Sequence, residues 1–326
     1  MKICVYGAGA IGGHLAARLA RAGADVSVVV RGRHLDAIRT GGLRFKGPAG
    51  EFTVKVAASD NPPDLGPQDV VIAAVKAHGL PAIANSIQPL LRADTPVVYA
   101  INGIPWWYFH HHTGPARDRR LARLDPGGVL WDKVGVDRTI GCVVLSANAV
   151  PEPGLVHNLT AVNRYALGET DNSISPRLKA IAEVMSQAGI EAPVSTDIRR
   201  EVWLKLVGNF AGSPLSSLTG STAEQFSTSP DLVPIYRQLF AECMAVAAAY
   251  GVKLDLDVEE RLTQTAQAGP HRASMLQDLE AGRPMELDGQ LVAVQDFARA
   301  ANVPTPAADI VIGLLRQRAR LLGLYS

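Results

Sequence analysis

The stretch Lys2-Ile3-Cys4-Val5-Tyr6-Gly7-Ala8-Gly9-Ala10-Ile11-Gly12 is an apolar strand that runs straight into a GxGxxG turn. An amphipathic helix (His14 to Arg21) and a second strand (Val26 to Val30) follow, so the glycines sit inside a complete βαβ unit. Each glycine has a physical task in such a unit. Gly7 permits the tight turn, Gly9 lets the backbone approach a pyrophosphate, and Gly12 lets the helix pack closely on the strand. The helix N-terminus then presents unpaired N–H groups to an anion, and a dinucleotide is the ligand that suits it.

The residue after the second strand selects between dinucleotides. Sites that prefer NAD place Asp or Glu there to accept from the ribose 2′-hydroxyl, whereas this chain reads Val28-Val29-Val30-Arg31-Gly32-Arg33, with no carboxylate before Asp36. Arg31, with Arg33 beside it, is suited to charge-assisted bonds with a 2′-phosphate, so NADP(H) is the expected cofactor. The competing reading makes both arginines part of a solvated loop.

At 326 residues and 47% hydrophobic content, the chain has material for two cores. A formal net charge of +1 gives no electrostatic reason to expect nucleic acid or an acidic membrane as partner. Cys4, Cys142 and Cys243 are far apart in sequence and outside any metal spacing, so they read as buried small apolar residues. The glycine turn begins at residue 7, which leaves no room for a signal peptide, and no apolar run reaches membrane-spanning length. A cytoplasmic location is expected, and a homodimer and a monomer fit the composition equally.

Strand and helix patterns alternate first and give way to helix alone. After the first unit come β-rich segments at Leu43 to Phe45 and Phe52 to Val56, the buried run Val70 to Val75, a helix from Pro81 to Leu91, and a strand from Val97 to Ile101. Further strands are expected at Thr139 to Leu145, Gly154 to His157 and Arg164 to Leu167, then a helix from Pro176 to Ala188. Beyond Thr196 helical patterns cover 198–212, 230–250, 257–268, 271–281, 289–301 and 305–321. The expected fold is α/β: a Rossmann-type doubly wound parallel sheet over residues 1–195, followed by an all-α domain over 196–326, with Ser195 and Thr196 as candidate helix caps.

Two segments stand out against this frame. Pro105-Trp106-Trp107-Tyr108-Phe109-His110-His111-His112 follows Asn102-Gly103 at the carboxyl end of a sheet strand, where ligands bind in open α/β sheets. Its rings either wall a substrate pocket or plug the insertion onto the body. Three consecutive histidines cannot all face one ion from a regular element, so no metal site is expected. In the first helix of the second domain, Glu201, Lys205, Asn209 and Ser213 recur at i, i+4 intervals on a helix that is otherwise apolar or glycine. A surface ion pair accounts for Glu201 and Lys205 but leaves Asn209 unexplained among Leu206, Val207 and Phe210, which points to a stripe lining a cleft.

Together with Val75-Lys76-Ala77, Trp203-Leu204-Lys205-Leu206, Ser274-Met275-Leu276-Gln277-Asp278, and Glu286 with Asp288, these residues resemble the ketopantoate reductases (2-dehydropantoate 2-reductases) over nearly the whole chain. The resemblance implies NADPH-dependent reduction of 2-dehydropantoate, a small 2-oxo acid, in pantothenate biosynthesis. It implies Lys205 as the catalytic acid and Glu286 as the group completing the closed site, touching substrate, cofactor or both. Asn209, Ser213 and Ser274 would contact substrate, and Asn102 both substrate and nicotinamide. Gly7, Ala8, Gly9, Ala10, Ile11, Gly12, Arg31, Lys76 and Ala147 would contact the cofactor. The chain departs from the family pattern at Ser213, where members carry a second Asn, near Ser221 and Thr222, where a further Asn is replaced, and in the Trp106-Trp107 insertion. These departures leave open a reductase of the same plan for another 2-oxo or 3-oxo acid. A non-catalytic NADPH sensor would be free to lose Lys205, Asn209 and Glu286, yet all three are present.

Overall fold

The structure, a computed structural model, describes residues 1–48, 50–114 and 116–325. In chain order its first elements are β1 (Lys2–Tyr6), α1 (Ala10–Arg21), β2 (Asp25–Val29), α2 (Gly32–Gly41), β3 (Leu43–Gly47), β4 (Gly50–Val54), β5 (Ala57–Ser59), β6 (Val70–Ala73), α3 (Leu80–Ile83) and β7 (Val97–Ala100). They continue with β8 (Thr139–Leu145), β9 (Asn148–Glu152), β10 (Leu155–Asn158), β11 (Arg164–Glu169) and α4 (Pro176–Gln187). Helices alone follow: α5 (Ile198–Thr219), α6 (Ala223–Thr228), α7 (Val233–Ala249), α8 (Val258–Gln267), α9 (Ser274–Glu280), α10 (Ala293–Ala300) and α11 (Pro306–Leu321). The chain divides into two units, one of Met1–Ile101 with Pro105–Ile198, the other of Asn102–Ile104 with Arg199 to the C-terminus.

In the first unit, β1 lies inside a seven-stranded sheet of order β11-β8-β7-β6-β1-β2-β5. The six strands from β8 to β5 pair parallel, and β11 closes the edge antiparallel to β8. The order reverses beside β1, the switch point at which doubly wound sheets bind dinucleotides. β1, β6 and β7 read as near-continuous apolar runs because helices and loops cover both faces, and Cys4, Val5, Val71 and Val97 have no exposed surface. Cys4, Cys142 and Cys243 are all buried, and burial pushes the Cys4 thiol up to about 11.

Four differences from the sequence reading have local causes. Arg31 and Arg33 do not lie in a loop: Arg31 is the N-cap of α2, whose Leu35 and Ile38 bury one face between flanking glycines. β3, β4 and β10 leave the main sheet and join β9, a strand not anticipated, in a second sheet of order β4-β3-β10-β9. The helix expected over Pro81 to Leu91 is a single turn, α3, followed by a 3-10 turn at Gln88–Leu90. Pro89 has no N–H to continue the helix and disfavours helical backbone at Gln88. Conversely, α5 continues past residue 212, through Pro214, to Thr219.

The aromatic segment after Gly103 is core. Trp106, Trp107, Tyr108 and Phe109 are each at most 1% exposed. Trp106 packs edge-on against Tyr99, with ring centroids 5.3 Å apart, and against Trp131 at 6.2 Å. Trp107 lies so close to β8 that a Cβ on Gly141 would come within 2.7 Å of its ring. The packing supports the structural plug. His110, His111 and exposed Asp137 do approach one another, with potential ligand atoms within 4.8 Å, a proximity that spacing along the chain conceals. The rings also serve as loop anchors: His110 Nδ1 lies 3.0 Å from Asp118 Oδ1, and His111 Nδ1 lies 3.0 Å from Thr170 Oγ1.

The second unit is helical. The start of α11 is capped from another helix: the buried Glu242 of α7 accepts from the backbone N–H groups of Ala307 and Ala308, both at 2.9 Å. Those are two of the donors a helix N-terminus leaves unpaired, and Pro306 before them has no N–H to satisfy. No helix among the described residues is long and apolar enough to cross a membrane.

Replacing Trp106 by Ala should cost about 3–5 kcal/mol of stability, the usual loss for a buried Trp. Denaturant unfolding checks this, and an unchanged midpoint would show that Trp106 is not core.

Candidate functional site

In the first unit, Gly7 has φ +97, and a Cβ there would meet Val75 Cγ1 at 2.7 Å. A Cβ on Gly12 would lie 1.9 Å from the Gly7 carbonyl oxygen, so the start of α1 can lie this close to the turn only without a side chain. Gly9 differs from both. It is the exposed N-cap of α1, and among the described residues its Cβ would meet nothing within 4 Å. Glycine is a favoured N-cap, and without a side chain it keeps the approach clear at a helix N-terminus suited to an anion. A dinucleotide pyrophosphate fits that cradle.

Ala8 is buried, while Ala10 and Ile11 begin α1 half-buried. Arg31 is exposed at the N-cap of α2, just past the end of β2. Lys76 is half-buried after β6. Ala147 is fixed by its carbonyl, which accepts from Leu159 N–H at 2.8 Å and from Asn158 Nδ2 at 3.3 Å. Asn158 in turn donates to Asn148 and Asn163, both at 2.9 Å, forming an amide network that the sequence reading missed.

In the second unit, the segment Asn102–Ile104 is held by backbone. Gly103 has φ +80, and a Cβ on it would lie 2.3 Å from the Gly289 carbonyl oxygen. That same oxygen accepts from Ile104 N–H at 2.8 Å. The expected helix over 289–301 instead starts with a wide π turn, Asp288–Val292, before α10. Such turns interrupt the ordinary i→i−4 ladder and are frequent at functional sites.

This anchorage carries Asn102 into a polar chain. Lys205 Nζ donates to Asn102 Oδ1 at 2.5 Å, and Asn102 Nδ2 donates to Glu286 Oε2 at 3.0 Å. Gln290 Nε2 reaches the same carboxylate oxygen at 3.4 Å, and Asn209 Nδ2 donates to Gln290 Oε1 at 3.3 Å. Lys205, Asn102 and Asn209 are half-buried, whereas Glu286 is 9% exposed and Gln290 1%. The spacing at i, i+4 along α5 brings Lys205 and Asn209 onto one face, and Gln290 is the partner that Asn209 required. The sequence reading does not single out Gln290, although a lone amide between Gly289 and Leu291-Val292, four residues after Glu286, is a readable signal.

Two other expected residues stand apart from that chain of hydrogen bonds. Ser213 lies one turn further along α5 and is buried at 6% exposure. Ser274 is exposed as the first residue of α9.

The family model described as ketopantoate reductase PanE/ApbA matches residues 3–107, and that for the ketopantoate reductase PanE/ApbA C terminal matches residues 197–319. A curated 2-dehydropantoate 2-reductase of Mesorhizobium japonicum is 44% identical over 327 residues, covering 100% of both chains. A solved structure from Ralstonia solanacearum MolK2, provisionally assigned as a ketopantoate reductase, is 40% identical with a TM-score of 0.93 over 99% of each chain. The fold alone is shared with a D-mandelate dehydrogenase solved with NADH and anilino(oxo)acetate, at 21% identity and a TM-score of 0.84, over 99% of this chain and 100% of that one.

Gly103→Ala should lower stability by about 2–4 kcal/mol, combining a left-handed backbone penalty with overpacking against Gly289. Calorimetry checks this, and a variant with unchanged melting temperature would show that the close approach is not needed.

Proposed function

Because the chain belongs to the ketopantoate reductase family, we propose that it reduces 2-dehydropantoate to pantoate with NADPH. The observation that carries this reading is the Lys205–Asn102–Glu286 chain of hydrogen bonds, extended through Gln290 to Asn209. Reducing a 2-oxo acid needs a hydride at the carbonyl carbon, a proton for its oxygen, and anchors for the carboxylate. The nicotinamide dinucleotide, when bound, supplies the hydride.

Lys205 supplies the proton, and its ammonium stabilises the oxyanion as it forms. Glu286, which can only accept, fixes the Asn102 amide so that its carbonyl faces the ammonium. Lys205 is thereby aimed before substrate arrives, which lowers the cost of orienting it during the reaction. Asn209, held by Gln290, and Ser274 on α9 are the substrate contacts, with Ser213 in a supporting position. Gly7, Ala8, Gly9, Ala10, Ile11 and Gly12 cradle the pyrophosphate. Lys76 and Ala147 flank the dinucleotide, and Arg31 takes the 2′-phosphate, with no carboxylate competing at the strand end.

The deciding assay follows NADPH oxidation with 2-dehydropantoate beside a panel of other 2-oxo and 3-oxo acids. A higher kcat/KM for another acid would overturn the substrate assignment. Lys205→Ala should lower kcat by roughly 10² to 10⁴, the range for losing a positioned general acid, while NADPH affinity stays nearly constant. Near-normal turnover would remove Lys205 from the mechanism. Arg31→Asp should raise the KM for NADPH at least about tenfold, since a charge-assisted phosphate bond is worth roughly 1.5–3 kcal/mol, and leave NADH use similar or better. Equal loss with both cofactors would count against the 2′-phosphate role.

A further inference from the structure

His34 lies in α2, three residues after Arg31, and both of its ring nitrogens are engaged. Nε2 is 2.8 Å from the Ala8 carbonyl oxygen, and Gly154 N–H donates to Nδ1 at 2.8 Å. A backbone N–H can only donate and a carbonyl can only accept, so a single protonation state fits: a neutral ring with its proton on Nε2. Burial, which lowers the pKa of His34, favours that neutral form.

Each end of this bridge is itself fixed. Gly154 sits in the turn between β9 and β10 with φ +79, and its carbonyl accepts from Arg44 N–H of β3 at 2.8 Å. A Cβ on it would come within 3.0 Å of Ala37 Cβ, so glycine lets the turn lie against α2. At the other end, Ala8 is the buried residue between Gly7 and Gly9. The same small sheet also touches α1, since a Cβ on Gly13 would lie 2.5 Å from Val156 Cγ2 of β10.

The consequence follows from peptide geometry. The Ala8–Gly9 peptide is trans, as are all those described, so its C=O and N–H point in opposite directions across one rigid plane. Holding the Ala8 carbonyl toward His34 therefore fixes the direction of the Gly9 N–H, at the N-cap of α1. We propose that His34 is a positioning residue for the dinucleotide-binding turn, clamping the Ala8–Gly9 peptide to the second sheet so that the turn is set before a pyrophosphate binds. This rests on the reading of that turn as a dinucleotide site. It makes the second sheet part of the binding apparatus, with the chain Arg44–Gly154–His34–Ala8 as its connection.

The test measures dinucleotide dissociation constants by fluorescence titration, with kcat and melting temperature, for His34→Phe and His34→Gln. The Phe ring keeps the shape and loses both bonds, while Gln can restore the donor to Ala8. His34→Phe should weaken NADPH and NADH by a similar factor of about tenfold, equivalent to about 1.4 kcal/mol, because the pyrophosphate is common to both. Its kcat at saturation should stay within about twofold, and His34→Gln should recover most of the affinity, in line with a role in presetting the site rather than in chemistry. Unchanged affinity in His34→Phe, or a kcat loss with affinity intact, would overturn the proposal. Loss of NADPH affinity alone would transfer His34 to the 2′-phosphate and likewise overturn it. Should His34→Phe fail to fold, His34→Gln and the ring ¹⁵N shifts of the wild-type protein decide. An Nε2–H tautomer at neutral pH is expected, and a proton on Nδ1 would refute the clamp. Failure of the NADPH reading would show differently, as preferred NADH binding in the wild-type protein with the His34 effect intact.

Discussion

The close approach of two glycine backbones, Gly103 against Gly289, is the constraint from which the polar site of the second unit follows. The Gly289 carbonyl faces a position where Gly103 has no Cβ and accepts from the next N–H along, that of Ile104. Asn102 is thus carried on a segment fixed by backbone contact, and its amide lies between Lys205 and Glu286. A site set by backbone contact tolerates little displacement, and misplacement of about 1 Å is enough to cost a reaction roughly a hundredfold. The wide turn at Asp288–Val292 belongs to the same arrangement, because it puts Glu286, Gly289 and Gln290 together on one short segment.

The dinucleotide turn is built by the opposite use of glycine. Gly7 and Gly12 are small because protein atoms crowd them, whereas at Gly9 no described residue would meet a Cβ within 4 Å. The first two are explained by the fold alone, and the third suits an N-cap open to an anion. The second sheet, with His34 as its link, stiffens the base of this turn without occupying the space beside Gly9.

Much of this was legible in sequence because the signals were periodic or local. The βαβ unit and the buried parallel strands carry local patterns, and the structure reproduces them; of the i, i+4 stripe on α5, Lys205 and Asn209 join one chain of hydrogen bonds. What was missed depends on partners distant in sequence. β3 and β10 pair across more than a hundred residues, so nothing local separates them from strands of the main sheet. α2 is short and bounded by glycines, and its two buried residues give too little periodicity to stand out. Trp106 and Trp107 occupy a position where ligand walls and core plugs share the same composition, and only their burial separates the two. Gln290 is a lone amide in an apolar stretch, and its partners Asn209 and Glu286 become visible only in the fold.

Asn102 and His34 solve one problem by the same physical means. An amide and an imidazole can each donate and accept, and left alone either could present the wrong atom. Asn102 lies between a carboxylate that only accepts and an ammonium that only donates, which permits one orientation of the amide. His34 lies between a carbonyl and a backbone N–H, which permits one tautomer of the neutral ring. In both cases, reversing the group would set donor against donor and acceptor against acceptor in a partly buried setting, where unmade hydrogen bonds cost about 1–3 kcal/mol each. Orientation is therefore set by partners that match only one arrangement of the group, which lowers the reorganisation left when ligand arrives.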